Sequence, residues 1–194
     1  MSEFETREQW LNAAATALKS HVRLAGGPDY EDPLISTGWP KGHRGRSKAI
    51  GQCWDKTTSG DNCRAHIYIS PELTDDEQVL ATLLHELVHA SVGTQCGHRG
   101  PFAKVARGVG LEGELTATVP GRLLELELKL LSNELGPYPH PGVTDITRGK
   151  KQTTRMLKVQ CDICGCVVRM TRKWLESVGA PTCGCGAEMH CYDA

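Results

Sequence analysis

Two histidines and a glutamate at positions 85–89 have the types and spacing of a metal-dependent hydrolytic site. His85 and His89 are four residues apart, so on a helix they project from one face about one turn apart and can bind the same tetrahedral Zn²⁺. Glu86 directly follows the first histidine, where its carboxylate can take a proton from an attacking water and pass it to a leaving amine. The pattern predicts a catalytic zinc site with Glu86 as its general base.

A catalytic zinc needs a third protein ligand and keeps one coordination position open. His98 follows His89 by nine residues, in a glycine-flanked loop from which an imidazole can return to the metal. We therefore predict His98 as the third ligand, and Glu112 and Glu114 are the alternatives. Cys96 is also close to His98 in the sequence. A lone cysteine is more often a small buried hydrophobic residue than a metal ligand, so we do not predict Cys96 as the third ligand.

A second candidate metal site lies near the end of the chain, where six of the nine cysteines cluster. Cys161 and Cys164 form a CxxC-Gly knuckle, a strong zinc-binding pattern. Cys183 and Cys185 are predicted to complete a structural zinc site, although only one residue separates them. The remaining cysteines, Cys166 and Cys191, are the alternatives. A module this small would depend on the metal to fold.

Hydrophobic spacing and capping residues predict the elements that position these groups. Four helices are predicted. The second is a buried helix that is capped by Thr74 or Asp75 and runs to about residue 93, and the other three cover residues 6–21, 101–110 and 123–135. Alternation at residues 66–69 and turn signals, including one at residues 59–62, predict a small antiparallel sheet within residues 35–69. The proline-rich residues 136–142 cannot continue a helix and are predicted to form a linker or a wrapping loop.

The predicted helices and small sheet indicate an α+β protein, and length and charge predict one main domain, residues 1–147, followed by a small basic cysteine-rich module, residues 148–194. The first segment holds 14 Lys and Arg against 19 Asp and Glu, whereas the second holds 8 against 4. Nucleic-acid binding by the basic module is one hypothesis, and an ordinary solvated surface is the alternative. The residues behind this hypothesis are Lys150, Lys151, Arg155, Lys158, Arg169, Arg172, Lys173 and the aromatic Trp174.

The acidic amino terminus lacks the basic start and apolar run of a secretory signal, and no apolar stretch is long enough to cross a bilayer. We therefore expect a cytoplasmic protein that does not associate with membranes. This location also favours metal binding over disulfides for the cysteines.

Three segments together resemble the SprT-like zinc metalloprotease family, which includes the Spartan proteases that degrade proteins crosslinked to DNA. They are His66-Ile67-Tyr68-Ile69-Ser70-Pro71, His85-Glu86-Leu87-Val88-His89-Ala90 and Gly97-His98-Arg99-Gly100-Pro101-Phe102. The resemblance covers residues 38–113, and the cysteine-rich tail is similar to the zinc ribbon appended to some members. It implies a zincin-like core, a catalytic Zn²⁺ bound by His85, His89 and His98, and Glu86 as general base.

The predicted function is zinc-dependent hydrolysis of peptide bonds in a protein or peptide substrate, including proteins associated with or crosslinked to DNA. The cofactors are one catalytic and one structural Zn²⁺. Tyr68 and Arg99 are candidates for stabilising the oxyanion. Two rival hypotheses are a zinc-stabilised nucleic-acid-binding protein without catalytic activity and a metallopeptidase that acts on a regulator or a toxin.

Overall fold

The computed structural model describes residues 4–41, 49–59, 64–143 and 156–192. Within them the chain is α+β, and its elements in order are α1 (Arg7–Leu24), β1 (Leu34–Thr37), β2 (Gly51–Trp54), β3 (His66–Ile69), α2 (Asp76–Val92), α3 (Pro101–Gly108), β4 (Leu111–Glu114), β5 (Ala117–Pro120), α4 (Arg122–Leu135), β6 (Met156–Cys161), β7 (Val167–Thr171), α5 (Arg172–Val178) and β8 (Met189–Cys191). The chain divides into two units, residues 1–144 and 145–194. Among the helices described, none has the length and apolar character needed to span a membrane. The predicted turn at residues 59–62 extends outside the described residues.

Helix α2 is the central element of the first unit. Its amino terminus is capped by the Asp75 carboxylate, which accepts a hydrogen bond from the Gln78 backbone N–H at 2.8 Å, and acidic residues in the first turn suit the helix dipole. Gly93, with φ of 82°, ends the helix. The apolar side chains on several sides of α2 are fully buried: Val79, Leu80, Leu83, Leu84, Leu87 and Val88. The predicted buried helix is confirmed, and its packing fixes the orientation of the groups it carries.

Helix α1 packs against α2 and is tied to the proline-rich segment that follows α4. Its Thr6 cap forms a capping box with Gln9, and Trp10, which is completely buried, donates a hydrogen bond from Nε1 to the Gly136 carbonyl at 2.9 Å. The buried Arg7 guanidinium donates to three carbonyls, those of Pro71, Pro139 and His140. The proline-rich segment is therefore a wrapping loop.

The predicted antiparallel sheet is wrong in one respect, because the three-stranded sheet of the first unit is mixed. Its order is β1-β3-β2, with β1 parallel and β2 antiparallel to β3. The long connection between β1 and β3 makes the parallel pairing feasible, since parallel strands need a crossover rather than a tight turn. Strand β2 therefore forms one edge of this sheet.

A two-stranded hairpin, β4–β5, lies between α3 and α4 and was not predicted from the sequence. Its base is fixed by the buried Leu111, which is paired with Pro120, and by a hydrogen bond from the Gly121 N–H to the Gly110 carbonyl at 2.8 Å. Helix α4 follows directly and buries Leu124 and Leu128 in the same core. The hairpin thus projects from a firmly packed base.

The second unit is a three-stranded sheet of order β7-β6-β8 with the short helix α5. Both pairings are antiparallel. Its small buried cluster consists of Val159, Cys161, Cys183 and Met189. Because two of these four residues are cysteines, the apolar part of this cluster is very small.

Candidate metal centres

Three imidazoles converge at the surface of α2. The Nε2 atoms of His85 and His89 each lie 3.2 Å from Nε2 of His98, which reaches them from the loop after α2. Phe102 at the start of α3 contacts all three rings and stacks on His89 with a centroid distance of 4.1 Å. The structure therefore brings together the three histidines predicted as ligands and holds them with apolar contacts.

The geometry of this cluster fits a tetrahedral ion. Zinc–nitrogen bonds of about 2.0–2.1 Å imply a separation of roughly 3.3 Å between ligand nitrogens around a tetrahedral centre, close to the observed 3.2 Å. Without an ion, three neutral imidazoles that face one another in this way cannot all form good hydrogen bonds. The trio is one of two candidate metal-binding groups in the described part of the chain.

Burial keeps the two helical histidines in the form that binds metal. It lowers the pKa of His85 to about 4, with a smaller contribution from His98. Burial also lowers the pKa of His89 to about 3, with smaller contributions from His85 and His98. Both imidazoles are therefore neutral at pH 7, with a lone pair free to bind a cation.

Glu86 is buried beside the imidazole cluster, with 6% of the residue exposed. Burial raises the pKa of its carboxyl group to about 8, although a hydrogen bond from the Cys53 backbone N–H acts in the opposite direction. A group with a pKa close to neutrality can both accept and donate a proton under physiological conditions. This environment suits the role predicted for Glu86.

The close approach of β2 to α2 depends on Gly51. A Cβ atom at this position would lie 2.6 Å from both Glu86 Oε1 and Thr82 Cγ2, so no larger residue fits without displacing them. The glycine allows the edge strand to lie against the glutamate, and the backbone N–H of Cys53 then reaches its carboxylate. No sequence pattern indicated this contact.

An open cleft of about 940 Å³ gives access to the cluster. One wall consists of residues 49–53, which include most of β2, and the opposite wall consists of residues 116–120 of the β4–β5 hairpin. Between them lie His85, Glu86 and His89 on α2 and His98 on the following loop. The cleft is large enough for an extended chain segment.

The alternative ligands lie elsewhere. Glu112 and Glu114 are exposed on β4, and the carboxylate of Glu112 lies against Gly121. Cys96 donates a weak hydrogen bond from Sγ to the Gly93 carbonyl at 3.4 Å. None of these three residues belongs to the candidate group formed by the histidines.

The two residues considered for oxyanion stabilisation are not in the cleft. Tyr68 stacks on His66 of β3 with a centroid distance of 4.5 Å. Neither Tyr68 nor Arg99 contributes to the lining of the cleft. His66 itself forms a hydrogen bond with the Ser36 hydroxyl at 3.0 Å and does not belong to the histidine group.

The second unit brings four sulfur atoms together. Cys161 Sγ lies 3.5 Å from Cys185 Sγ, and Cys164 Sγ lies 3.4 Å from Cys183 Sγ. A tetrahedral zinc–thiolate centre with bonds of about 2.3 Å places sulfurs roughly 3.8 Å apart, so a small outward movement would accommodate the ion. The hydrogen bond from the Cys164 backbone N–H is the main cause that lowers the pKa of Cys161 to about 7, although burial acts in the opposite direction, and the lower pKa favours the thiolate of this residue.

The spare cysteines remain outside this group. Cys166 is exposed, and Cys191 is half-buried on β8. Neither is a member of the four-sulfur cluster. All eight cysteines in the described residues are free of disulfides.

The donor atoms indicate what each centre can do. Three imidazole nitrogens beside an open cleft leave a coordination position for a substrate or a water, whereas four cysteines form a closed site suited to a structural ion. Both donor sets are compatible with zinc. Comparisons of this chain with known protein families, with curated proteins and with solved structures found no match.

Proposed function

We propose that this protein is a zinc-dependent metallopeptidase of the SprT-like kind. The observation that carries the proposal is the convergence of three imidazoles, with Nε2 of His98 lying 3.2 Å from Nε2 of both His85 and His89, beside a buried glutamate in an open cleft. Metal-binding, proton-transferring and substrate-accessible groups meet in one place, as hydrolysis requires.

The edge strand β2 offers a way to bind a peptide. The Ile50 carbonyl accepts a hydrogen bond from the Ser70 N–H at 2.8 Å, so the alternating pattern of an antiparallel ladder directs the backbone groups of Gly51 and Cys53 away from β3. The Cys53 N–H is taken by the Glu86 carboxylate, so the backbone groups of Gly51 and the Cys53 carbonyl are the ones that face the cleft side for an added strand. An extended substrate could pair with this edge by β-augmentation and bring a scissile carbonyl to the imidazole cluster.

Each residue then has a defined task. A zinc ion bound by His85, His89 and His98 would supply Lewis acidity for the scissile carbonyl. Glu86 accepts the proton of the attacking water and returns it to the departing nitrogen. The Cys53 N–H holds the Glu86 carboxylate in position through both steps.

The test is the Glu86→Gln substitution, which keeps the shape of the side chain and removes the proton acceptor. Hydrolysis of fluorescein-labelled casein by the zinc-loaded full chain should fall by about 10²–10⁴-fold, the usual contribution of a general base. Native mass spectrometry should show the same number of zinc ions as in the wild type. The Glu134→Gln variant is the control, because Glu134 is an exposed glutamate on α4 that does not line the cleft, and it should retain activity within about threefold. Undiminished hydrolysis by the Glu86 variant would contradict the proposal.

Nucleic-acid binding by the second unit is a second candidate function. Two features of this unit support it, a pair of like charges on its sheet and an exposed tryptophan on α5. Lys158 on β6 lies directly opposite Arg169 on β7, and like charges in this position are unfavourable unless an anion lies between them. Trp174 on α5 is 54% exposed, and the Lys173 ammonium lies 5.2 Å from its ring centroid. A phosphate backbone and a stacked base would satisfy both features. The other predicted basic positions, Lys150, Lys151 and Arg155, lie outside the described residues.

Fluorescence anisotropy with a labelled single-stranded oligonucleotide tests this second function. Lys158→Gln and Arg169→Gln should each reduce the slope of log K against log salt by about one, because each removes one phosphate contact. Neither should destabilise the unit, since each relieves repulsion between like charges. Arg122→Gln on α4 of the first unit is the control and should leave the slope unchanged. Binding that is absent or independent of salt would rule out this function.

A further inference from the structure

The ring of His85 is held at both of its nitrogens. Nε2 faces His98 at 3.2 Å, whereas Nδ1 forms a hydrogen bond of 2.9 Å with the hydroxyl of Thr118. His89 differs, because its Nδ1 atom is buried and has no hydrogen-bond partner within the described ranges. The two helical histidines are therefore supported in different ways, and only His85 is tied by this nitrogen to the hairpin.

Thr118 is well placed for a precise contact. It lies on β5 opposite Gly113 and is half-buried, while its neighbours Ala117 and Val119 point to solvent. The buried Leu111 anchors the base of the hairpin. Thr118 is thus the point at which the hairpin wall of the cleft meets the imidazole cluster.

The chemistry of a neutral imidazole fixes the direction of this hydrogen bond. One ring nitrogen carries a proton and the other a lone pair, and only a lone pair on Nε2 can bind an ion in the cluster. Nδ1 must then be the donor, and the Thr118 hydroxyl must accept. A hydroxyl acceptor fixes the ring without adding negative charge, unlike the carboxylate that often supports a metal-binding histidine.

We propose that Thr118 is a positioning residue that holds His85 in the Nδ1–H tautomer, with the Nε2 lone pair directed into the imidazole cluster. The proposal rests on the metal centre of the proposed function, but not on peptide hydrolysis. It makes the hairpin part of the metal site, so that occupancy of the cluster and the order of the β4–β5 hairpin support each other.

The test compares Thr118→Val, which keeps the shape but loses the hydroxyl, with Thr118→Ser, which keeps it. Thr116→Val is the matched control, because Thr116 is exposed on the same hairpin and lines the same cleft. Cobalt(II) titration of the full chain separates the two centres, since thiolate and imidazole ligands give different absorption spectra. Thr118→Val should weaken the histidine centre about 10–100-fold, with the cysteine centre unchanged. Thr118→Ser and Thr116→Val should remain within about threefold of the wild type.

The second readout needs neither metal nor activity. Long-range ¹H–¹⁵N spectra of the metal-free protein report the tautomer of His85, which should be Nδ1–H in the wild type and in Thr118→Ser, and mixed in Thr118→Val. A wild-type Nε2–H tautomer, or unchanged tautomer and cobalt affinity in a folded Thr118→Val variant, would overturn the proposal. If cobalt binds as described but no peptide is cut, the proposed function fails and the role of Thr118 stands.

Discussion

Glu86 should make the stability of the metal-free protein depend on pH in a way that Glu86→Gln removes. The pKa of its carboxyl group is raised from 4.5 to about 8, so the folded state keeps a proton that the unfolded state releases. Wild-type stability should therefore fall as pH rises from 4.5 to about 8 and then level off. The glutamine variant, which carries no charge at any pH, should lack this component.

The magnitude follows from the same shift. We compare about pH 5.5 with about pH 9. Over roughly 2.5 pH units, from the lower value up to the folded pKa, only the folded state keeps the proton on Glu86. At about 1.4 kcal/mol per unit, the wild type should lose about 3 kcal/mol of folding stability. Because the cleft is open to water, we expect ~2–3 kcal/mol. The difference in unfolding free energy, variant minus wild type, should therefore rise by this amount from the lower pH to the higher pH.

Urea denaturation followed by circular dichroism at both pH values, with chelator and reductant present, measures this difference. Titration of the groups that do not interact with Glu86, including the cysteines of the second unit, cancels in the comparison of the two proteins. Glu134→Gln provides the control and should show the wild-type pH dependence, because this glutamate is exposed. If the wild type and Glu86→Gln lose or gain stability in parallel, the carboxyl group is not buried in its protonated form and the reasoning is refuted.

Two further predictions concern the packing around the first centre and the metal content of the whole chain. Gly51→Ala should destabilise the protein by about 1–3 kcal/mol in urea denaturation and lower its affinity for zinc, because the new methyl group would displace Glu86 or Thr82; unchanged stability would show that β2 does not lie against α2. The wild type should bind two zinc ions in native mass spectrometry, and Cys161→Ser and His85→Ala should each bind one. Retention of both ions by either variant would show that the corresponding centre is wrongly assigned.

Local patterns were sufficient to predict the elements that carry the chemistry. The cap at Asp75 and the spacing of buried leucines defined α2, and a separation of four residues placed His85 and His89 on one face. His98 could be chosen because the loop that carries it is short and returns directly to the end of the helix. These relationships join residues that are close together in sequence, so they can be predicted from one sequence without knowledge of the tertiary structure.

The contacts that refine the site join residues far apart in sequence. Thr118 is 33 residues from His85, and Gly51 meets Glu86 only because β2 pairs with β3 at the edge of the sheet. The hairpin was missed because its strands have four residues each and little apolar alternation. The alternation of Thr116 and Thr118 around a single alanine was the available signal for β5. The parallel pairing of β1 with β3 had no local signal at all.

Helix α2 serves the core and the site at the same time, and these two roles conflict. Its leucines and valines stabilise the first unit by burial, whereas the same burial opposes charge on Glu86, His85 and His89. A divalent cation in the imidazole cluster would reverse this balance, because a nearby positive charge favours the ionised form of a carboxyl group. The site is thus expected to be least stable when empty and to become a competent proton acceptor when it is filled. Coupling of this kind would link proton release by Glu86 directly to occupancy of the centre that it serves.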